Sequence, residues 1–276
     1  MPLVLKSVPA ARGPRWIADA FRLYARRPLG FSALFVVFLF AALGVSVVPL
    51  LGPLLQMMSL PLLSLGFMVA GQSALLGGPV HPRQFIEPLR GDPARRRALL
   101  TLCVVYGLAA VAVLLLADAL SHHAWDRLQG LLAKGETAQG EVDALLAEPG
   151  IAAGLLTAGL GGMLLSAPFW HAPALVHWGG QGVRQALFSS TLAVWRTKGA
   201  FCTYLLGWLG VLLLFGFVSA IVLGLAGAPQ LTSLLGVPAG LVFSTAFYLS
   251  VLFTFNDSFG NAGAASAADR PPPGAV

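Results

Sequence analysis

The sequence predicts an all-α fold: a polytopic transmembrane bundle of six helices, with amphipathic interfacial helices on the cytoplasmic side. Three observations predict it. The 276 residues are 57% hydrophobic and carry 28 charged side chains (17 Lys and Arg, 11 Asp and Glu), where a soluble chain of this length would carry about 70. Those charges leave long empty intervals, among them the 55 residues between Arg27 and Arg83. The cations that remain collect in alternate loops. A bilayer crossing needs about 20 mostly apolar residues, and a charge at its centre costs about 2.5–3.5 kcal/mol. The empty intervals are therefore where the chain is in lipid. A soluble domain, a disordered chain and a nucleic-acid binder with a broad basic face are all excluded by this composition.

The elements follow in order. Residues 1–30 form a cytoplasmic segment in which Trp16, Ile17, Ala20, Phe21 and Tyr24 share one helical face and Arg15, Asp19, Arg22 and Arg26 the other, the pattern of a helix lying in the interface. Residues 31–259 are the membrane domain. The interval after Arg27 is too long for one crossing and holds two spans, 31–48 and 54–76, with a turn at Pro49-Leu50-Leu51-Gly52-Pro53. Pro61 lies early in the second span and is expected to kink it. The third span is 98–117. The fourth is 151–171, stopped near Pro168 and Pro173, with Trp178 as an alternative end. The fifth and sixth, 200–225 and 231–255, turn at Gly227-Ala228-Pro229. Residues 260–276, ending in a run of small residues and Pro271-Pro272-Pro273, read as a disordered cytoplasmic tail. No secretory signal is expected, because about 30 charged, amphipathic residues precede the first apolar run.

Orientation follows from the cations. Lys6, Arg12, Arg15, Arg22, Arg26 and Arg27 precede the first span; Arg83, Arg90, Arg95, Arg96 and Arg97 follow the second; Arg184, Arg196 and Lys198 follow the fourth; Arg270 is in the tail. That puts 15 of 17 cations on one face, and the other has Arg127 and Lys134. Cytoplasmic loops carry the excess of Lys and Arg, so both termini are expected in the cytoplasm of a bacterial inner membrane. The loop 118–148 is the expected extracytoplasmic feature, with net charge −4 from Asp118, Asp126, Glu136, Glu141, Asp143 and Glu148 against two cations. The formal +6 of the chain is thus a topology signal, together with attraction to anionic headgroups.

The cytoplasmic segments also resemble one another. Arg15–Arg27, Pro82–Leu89 and Val183–Trp195 each precede cations and then a pair of spans. Three two-span units would account for this, and so would the ordinary need of any juxtamembrane elbow for aromatics and cations.

Few residues carry chemistry. Asp118, His122 and Asp126, at four-residue steps, would share a face if helical, and such ligands suit zinc. No known motif spacing fits and no third histidine follows, so the metal reading of these residues stands behind that of a hydrated helix end at the membrane surface, where His and Asp are ordinary. Trp170, His171, His177 and Trp178 cluster at the end of the fourth span, as interfacial anchors or, with Pro168 and Pro173, at a broken helix lining a cavity. Gln72, Trp170 and His171 are the candidate cavity residues. The other polar residues in or near spans, Gln56, Ser73, Ser166, Thr203, Tyr204 and Thr245, suit hydrogen bonds between helices. Small-residue seams at Gly66-Ala70-Ala74 and Ala158-Gly162-Ser166 suit close packing within the bundle. Cys103 and Cys202 sit within spans and read as small apolar residues. No Asp, Glu, Lys or Arg lies inside a span, which counts against a proton- or voltage-coupled machine. Phosphate-loop, dinucleotide, His-Glu-x-x-His and nucleophile-elbow motifs are absent.

The run Phe169-Trp170-His171-Ala172-Pro173-Ala174-Leu175-Val176-His177-Trp178, with Ala186-Leu187-Phe188-Ser189-Ser190, Trp195-Arg196 and the opening Trp16…Arg27-Pro28-Leu29-Gly30-Phe31, resembles a family of uncharacterised proteobacterial inner-membrane proteins. The resemblance extends to about Phe259. More distantly, the alternation of surface helix and hairpin is similar to YciC-like proteins and to the membrane domain attached to some glycerophosphodiester phosphodiesterases, whose catalytic part has no counterpart here. The resemblance implies an integral inner-membrane location and carries over no catalytic residue.

The expected function is a non-catalytic structural or accessory role in the cytoplasmic membrane, without cofactor. The expected partners are membrane lipids with anionic headgroups and no nucleic acid. Arg15, Arg22, Arg26, Arg95, Arg96 and Arg97 are the candidate headgroup contacts, through charge-assisted hydrogen bonds. A permease or channel for a neutral or lipophilic solute is the alternative, and a membrane-embedded metal-dependent enzyme the third.

Overall fold

The computed structural model describes residues 4–49, 51–124, 127, 130, 144, 145, 147–227 and 231–260. Among them every regular element is helical: α1 (Arg12–Arg26), α2 (Pro28–Ser46), α3 (Gly52–Leu75), two short 3-10 turns (Pro82–Phe85 and Glu87–Leu89), α4 (Pro93–Leu120), α5 (Pro149–Phe169), α6 (Ala172–His177), α7 (Val183–Arg196), α8 (Lys198–Leu225) and α9 (Leu231–Phe259). Six stretches are long and apolar enough to cross a bilayer: Pro28–Ser46, Gly52–Leu75, Pro93–Leu120, Pro149–His177, Lys198–Leu225 and Leu234–Phe259. Most of the loop 118–148, with Asp126, Lys134, Glu136, Glu141 and Asp143, and the expected tail after Gly260 lie outside the described residues.

The chemistry of each boundary is local. Pro28, Pro53, Pro93 and Pro149 occupy the first turns of their helices, where a missing N–H costs nothing. Asp92 caps α4 by accepting from the Ala94 N–H at 3.1 Å. The fourth crossing is broken at Trp170-His171 and resumes as α6 to His177, which reconciles its two expected ends. At the other end α4 stops at Leu120, and His122 and His123 turn the chain at φ 51° and 58°. Imidazole residues enter that left-handed region more readily than most side chains.

Packing is uneven along the membrane normal. Three buried clusters lie at the cation-rich end, around Leu65, Leu99, Leu175 and Phe255, around Phe31, Phe67 and Leu249, and around Trp16, Phe201 and Tyr204. Toward the opposite end α8 and α9 present Leu213, Leu214, Phe217, Leu234 and Val237 outward. Apolar residues exposed around a helix are what lipid-facing surface requires.

Close approaches occur at glycines. A Cβ on Gly13 would overlap the Ala200 carbonyl and the Thr203 hydroxyl, so α1 lies against the α8 backbone. Gly66, Ala70 and Ala74 are buried or nearly so, with the Phe85 ring seated on Gly66. On α5 the contact face differs from the expected seam. Gly154 and Gly161 meet α4 at Ser121 and Val113, while Gly162 has nothing near it. A seven-residue step keeps two positions on one helix face as well as a four-residue step does.

Candidate functional site

The last helix organises the cation-rich end. Ser250, Thr254 and Asp257, spaced four and then three residues apart, lie on one stripe of α9. Each receives aromatic side chains from other elements. Tyr204 Oη on α8 and Ser250 Oγ are 2.7 Å apart. The Trp170 indole donates to Thr254 Oγ1 at 3.1 Å, and His171 Nε2 lies 3.1 Å from the same oxygen. The Trp16 indole donates to Asp257 Oδ2 at 2.7 Å.

Thr254 Oγ1 already donates to the Val251 carbonyl at 2.8 Å. Its two lone pairs are then free to accept from Trp170 and from a protonated His171 Nε2. That assigns His171 the Nε2–H tautomer, with Nδ1 facing inward as an unpartnered acceptor among the described residues. The imidazole is fully buried among Phe201, Phe255 and Phe259.

The helix break that carries Trp170 and His171 is repaired from a neighbour. The His171 N–H would normally bond the Ala167 carbonyl, four residues back. Instead Ser190 Oγ on α7 accepts from the His171 N–H at 3.0 Å and donates to the Ala167 carbonyl at 2.8 Å. A fully buried hydroxyl thus splices the two backbone groups that the bend separates.

Asp257 lies in the final turn of α9, where a carboxylate opposes the helix dipole. Three donors offset that. Besides the Trp16 indole, Arg12 donates through Nε at 2.6 Å and through Nη2 at 3.1 Å, a bidentate pair. The hydrogen bond with Asp257 raises the Arg12 pKa further above its ordinary value, against the opposing effect of burial. The Lys6 N–H donates to the Ser258 carbonyl at 2.8 Å, and the Thr203 hydroxyl to the Ala10 carbonyl at 2.6 Å. The apolar face of α1, with Trp16, Ile17, Ala20 and Leu23, is consequently buried on α8 and α9 rather than in lipid.

The candidate headgroup cations divide into two groups. Arg22 pairs with Asp19 at 2.6 Å, and Arg95 reaches the His177 carbonyl at 3.4 Å. Arg15, Arg26, Arg96 and Arg97 are exposed, and their guanidinium groups have no protein partner among the described residues.

The candidate cavity residues are separated. A cavity of about 140 Å³ lies between α3, α4, α5 and α9, lined by Leu60, Pro61, Ser64, Tyr106, Ser166 and Trp170 with four aromatic or aliphatic neighbours. Trp170 lines it, whereas His171 is fully buried outside its lining and Gln72 belongs to another part of α3. A second, apolar groove of about 400 Å³ runs between α2, α3 and the 3-10 turns.

The metal candidates do not share a helix face, because α4 ends before His122. Asp118 instead meets His123, Oδ2 to Nδ1, at 2.6 Å. Asp126 lies outside the described residues. Among those described, no group of three His, Cys, Asp or Glu comes together. Nearby, Arg127 donates to both oxygens of Glu148 at 3.1 and 2.7 Å, and this hydrogen-bonded pair lowers the Glu148 pKa.

No family model matches the chain, and no solved structure matches it. Over 260 residues it is 31% identical to a Burkholderia thailandensis protein named a probable inner membrane protein; the match covers 93% of this chain and 94% of that one.

Proposed function

We propose, for a chain that belongs to the family of the Burkholderia thailandensis inner membrane protein and is itself a multi-pass inner-membrane protein, a non-catalytic structural or accessory role. The observation that carries the proposal is the packed, cross-linked cation-rich end. There α1, the α5–α6 break, α8 and α9 are tied by Asp257, Thr254 and Ser250, with large side chains of Trp16, Phe255 and Tyr204 fully buried. This reading places that end and both termini in the cytoplasm, supported by 15 of the 17 cations. Four unpaired arginines, Arg15, Arg26, Arg96 and Arg97, then face anionic headgroups, each worth about 1 kcal/mol near the surface. Distant kinship with YciC-like proteins belongs to the same proposal and draws on the repeated order of surface helix and paired spans.

A permease for a neutral solute is the second reading. It would need a path past this packed end, and the cavity beside Pro61 is the observation in its favour.

The test is extraction in mild detergent followed by lipid analysis. The accessory reading expects anionic phospholipid enriched over the bulk membrane, and loss of that enrichment when the four arginines become Gln. Bulk-like lipid, together with protein-dependent flux of glycerol into proteoliposomes, would overturn it.

A further inference from the structure

The cavity between α3, α4, α5 and α9 gathers hydroxyl groups from four separate helices: Ser64, Tyr106, Ser166 and Tyr248. At about 1.5 Å per residue, Tyr106 lies about 20 Å from the Pro93 end of α4, Ser64 about 16 Å from the Leu75 end of α3, and Tyr248 about 16 Å from the Phe259 end of α9. These three ends share the cation-rich face, and the helices are about 36–43 Å long. Ser64, Tyr106 and Tyr248 therefore lie at one level, close to mid-bilayer, and Ser166 lines the same cavity from α5.

Their hydrogen-bonding state separates them from the polar groups elsewhere in the bundle. Ser166 donates to the Gly162 carbonyl at 2.7 Å and keeps its lone pairs for another donor. The hydroxyls of Ser64, Tyr106 and Tyr248 have no partner among the described residues. An unpaired hydroxyl in an apolar medium costs several kcal/mol. Three residues that line one cavity carry such hydroxyls, and together they make a wall complementary to a polar ligand. Pro61 in the wall also releases the Met57 carbonyl from its usual helical bond, adding an acceptor on the same helix.

The walls restrict the chemistry further. Phe169, Trp170 and Phe247 line the cavity with the two tyrosines, and no charged side chain does. A charged ligand would have no counter-ion there. We propose that Ser64, Tyr106, Ser166 and Tyr248 form a mid-membrane binding site for a small neutral molecule that bears a hydroxyl or carbonyl group on a flat or apolar body. The site holds its ligand by hydrogen bonds to the ring of hydroxyls and by contact with the aromatic walls. Binding there is distinct from transport, so occupancy rather than flux is the quantity to read.

The experiment uses the full-length protein in lipid nanodiscs and two fluorinated probes of one shape, 3-fluorophenol and fluorobenzene, followed by fluorine NMR. The site predicts saturable 3-fluorophenol binding, displaced by phenol and roughly tenfold tighter than that of fluorobenzene. Tyr106→Phe and Tyr248→Phe should each weaken 3-fluorophenol severalfold and leave fluorobenzene unchanged, with the helical circular-dichroism spectrum of the parent as the folding control. Absence of a saturable 3-fluorophenol signal, equal affinity for the two probes, or indifference to both substitutions would overturn the proposal.

Discussion

The Trp16 indole donates to the Asp257 carboxylate at 2.7 Å, across 241 positions of sequence. With the bidentate Arg12 pair it ties the opening helix to the end of the last span. Asp257→Asn keeps the shape and removes the charge. It should lower stability by about 1–3 kcal/mol, as expected for charge-assisted hydrogen bonds that are partly shielded from solvent. A double-mutant cycle with Arg12→Gln, read by thermal unfolding in detergent, should show coupling between the two. Additive losses would mean that α1 is held by its apolar face alone.

Ser190 predicts a sharper contrast. Ser190→Ala strands the His171 N–H and the Ala167 carbonyl in a buried bend, at about 1–3 kcal/mol for each group. Thr191→Ala, one residue on, removes only an exposed bond to the Leu187 carbonyl of its own helix and should change stability by less than about 0.5 kcal/mol. Equal melting temperatures for the two variants would remove the splicing role.

Gly13 tests the docking surface. Gly13→Ala places a methyl against the α8 backbone at Ala200, where no side chain can move aside. Limited proteolysis should cut within residues 4–26 much faster than in the parent. Unchanged protection would show that α1 does not lie where the structure puts it.

The opposite end responds to pH. Glu148 holds its pKa below the ordinary carboxylate value, first through its hydrogen bond with Arg127. A depressed folded-state pKa means that the pairing is complete above the ordinary value and is lost as pH falls through the depressed one. A carbon NMR titration of Glu148 should therefore give a midpoint that rises in Arg127→Gln. An unmoved midpoint would deny the pair.

The sequence made the six crossings legible because charge is excluded from lipid, and the gaps from Arg27 to Arg83 and from Arg97 to Asp118 follow directly from that cost. It also marked the amphipathic face of α1 through Trp16, Ile17 and Ala20. It was silent on what covers that face, since lipid and protein both accept an apolar stripe. Asp257 was the available signal: an acid ending an apolar span, with Arg12 free to meet it. Ser190 and Thr254 gave no such signal, because a hydroxyl in an apolar run reads alike whether it bonds its own helix or another. The Asp118–His122 spacing misled because it assumed a helix that stops at Leu120. His171 and Trp170 are adjacent in sequence, yet the break turns one into the packed interior and the other toward the cavity.

Topology is the most direct test of the central claim, that the packed, cation-rich end and both termini face the cytoplasm. Alkaline phosphatase, which is active only outside the cytoplasm, would be fused after Gly135 and, separately, after the last residue. High activity at Gly135 and none at the C-terminus is the expected result. Activity at the C-terminus and none at Gly135 would contradict it.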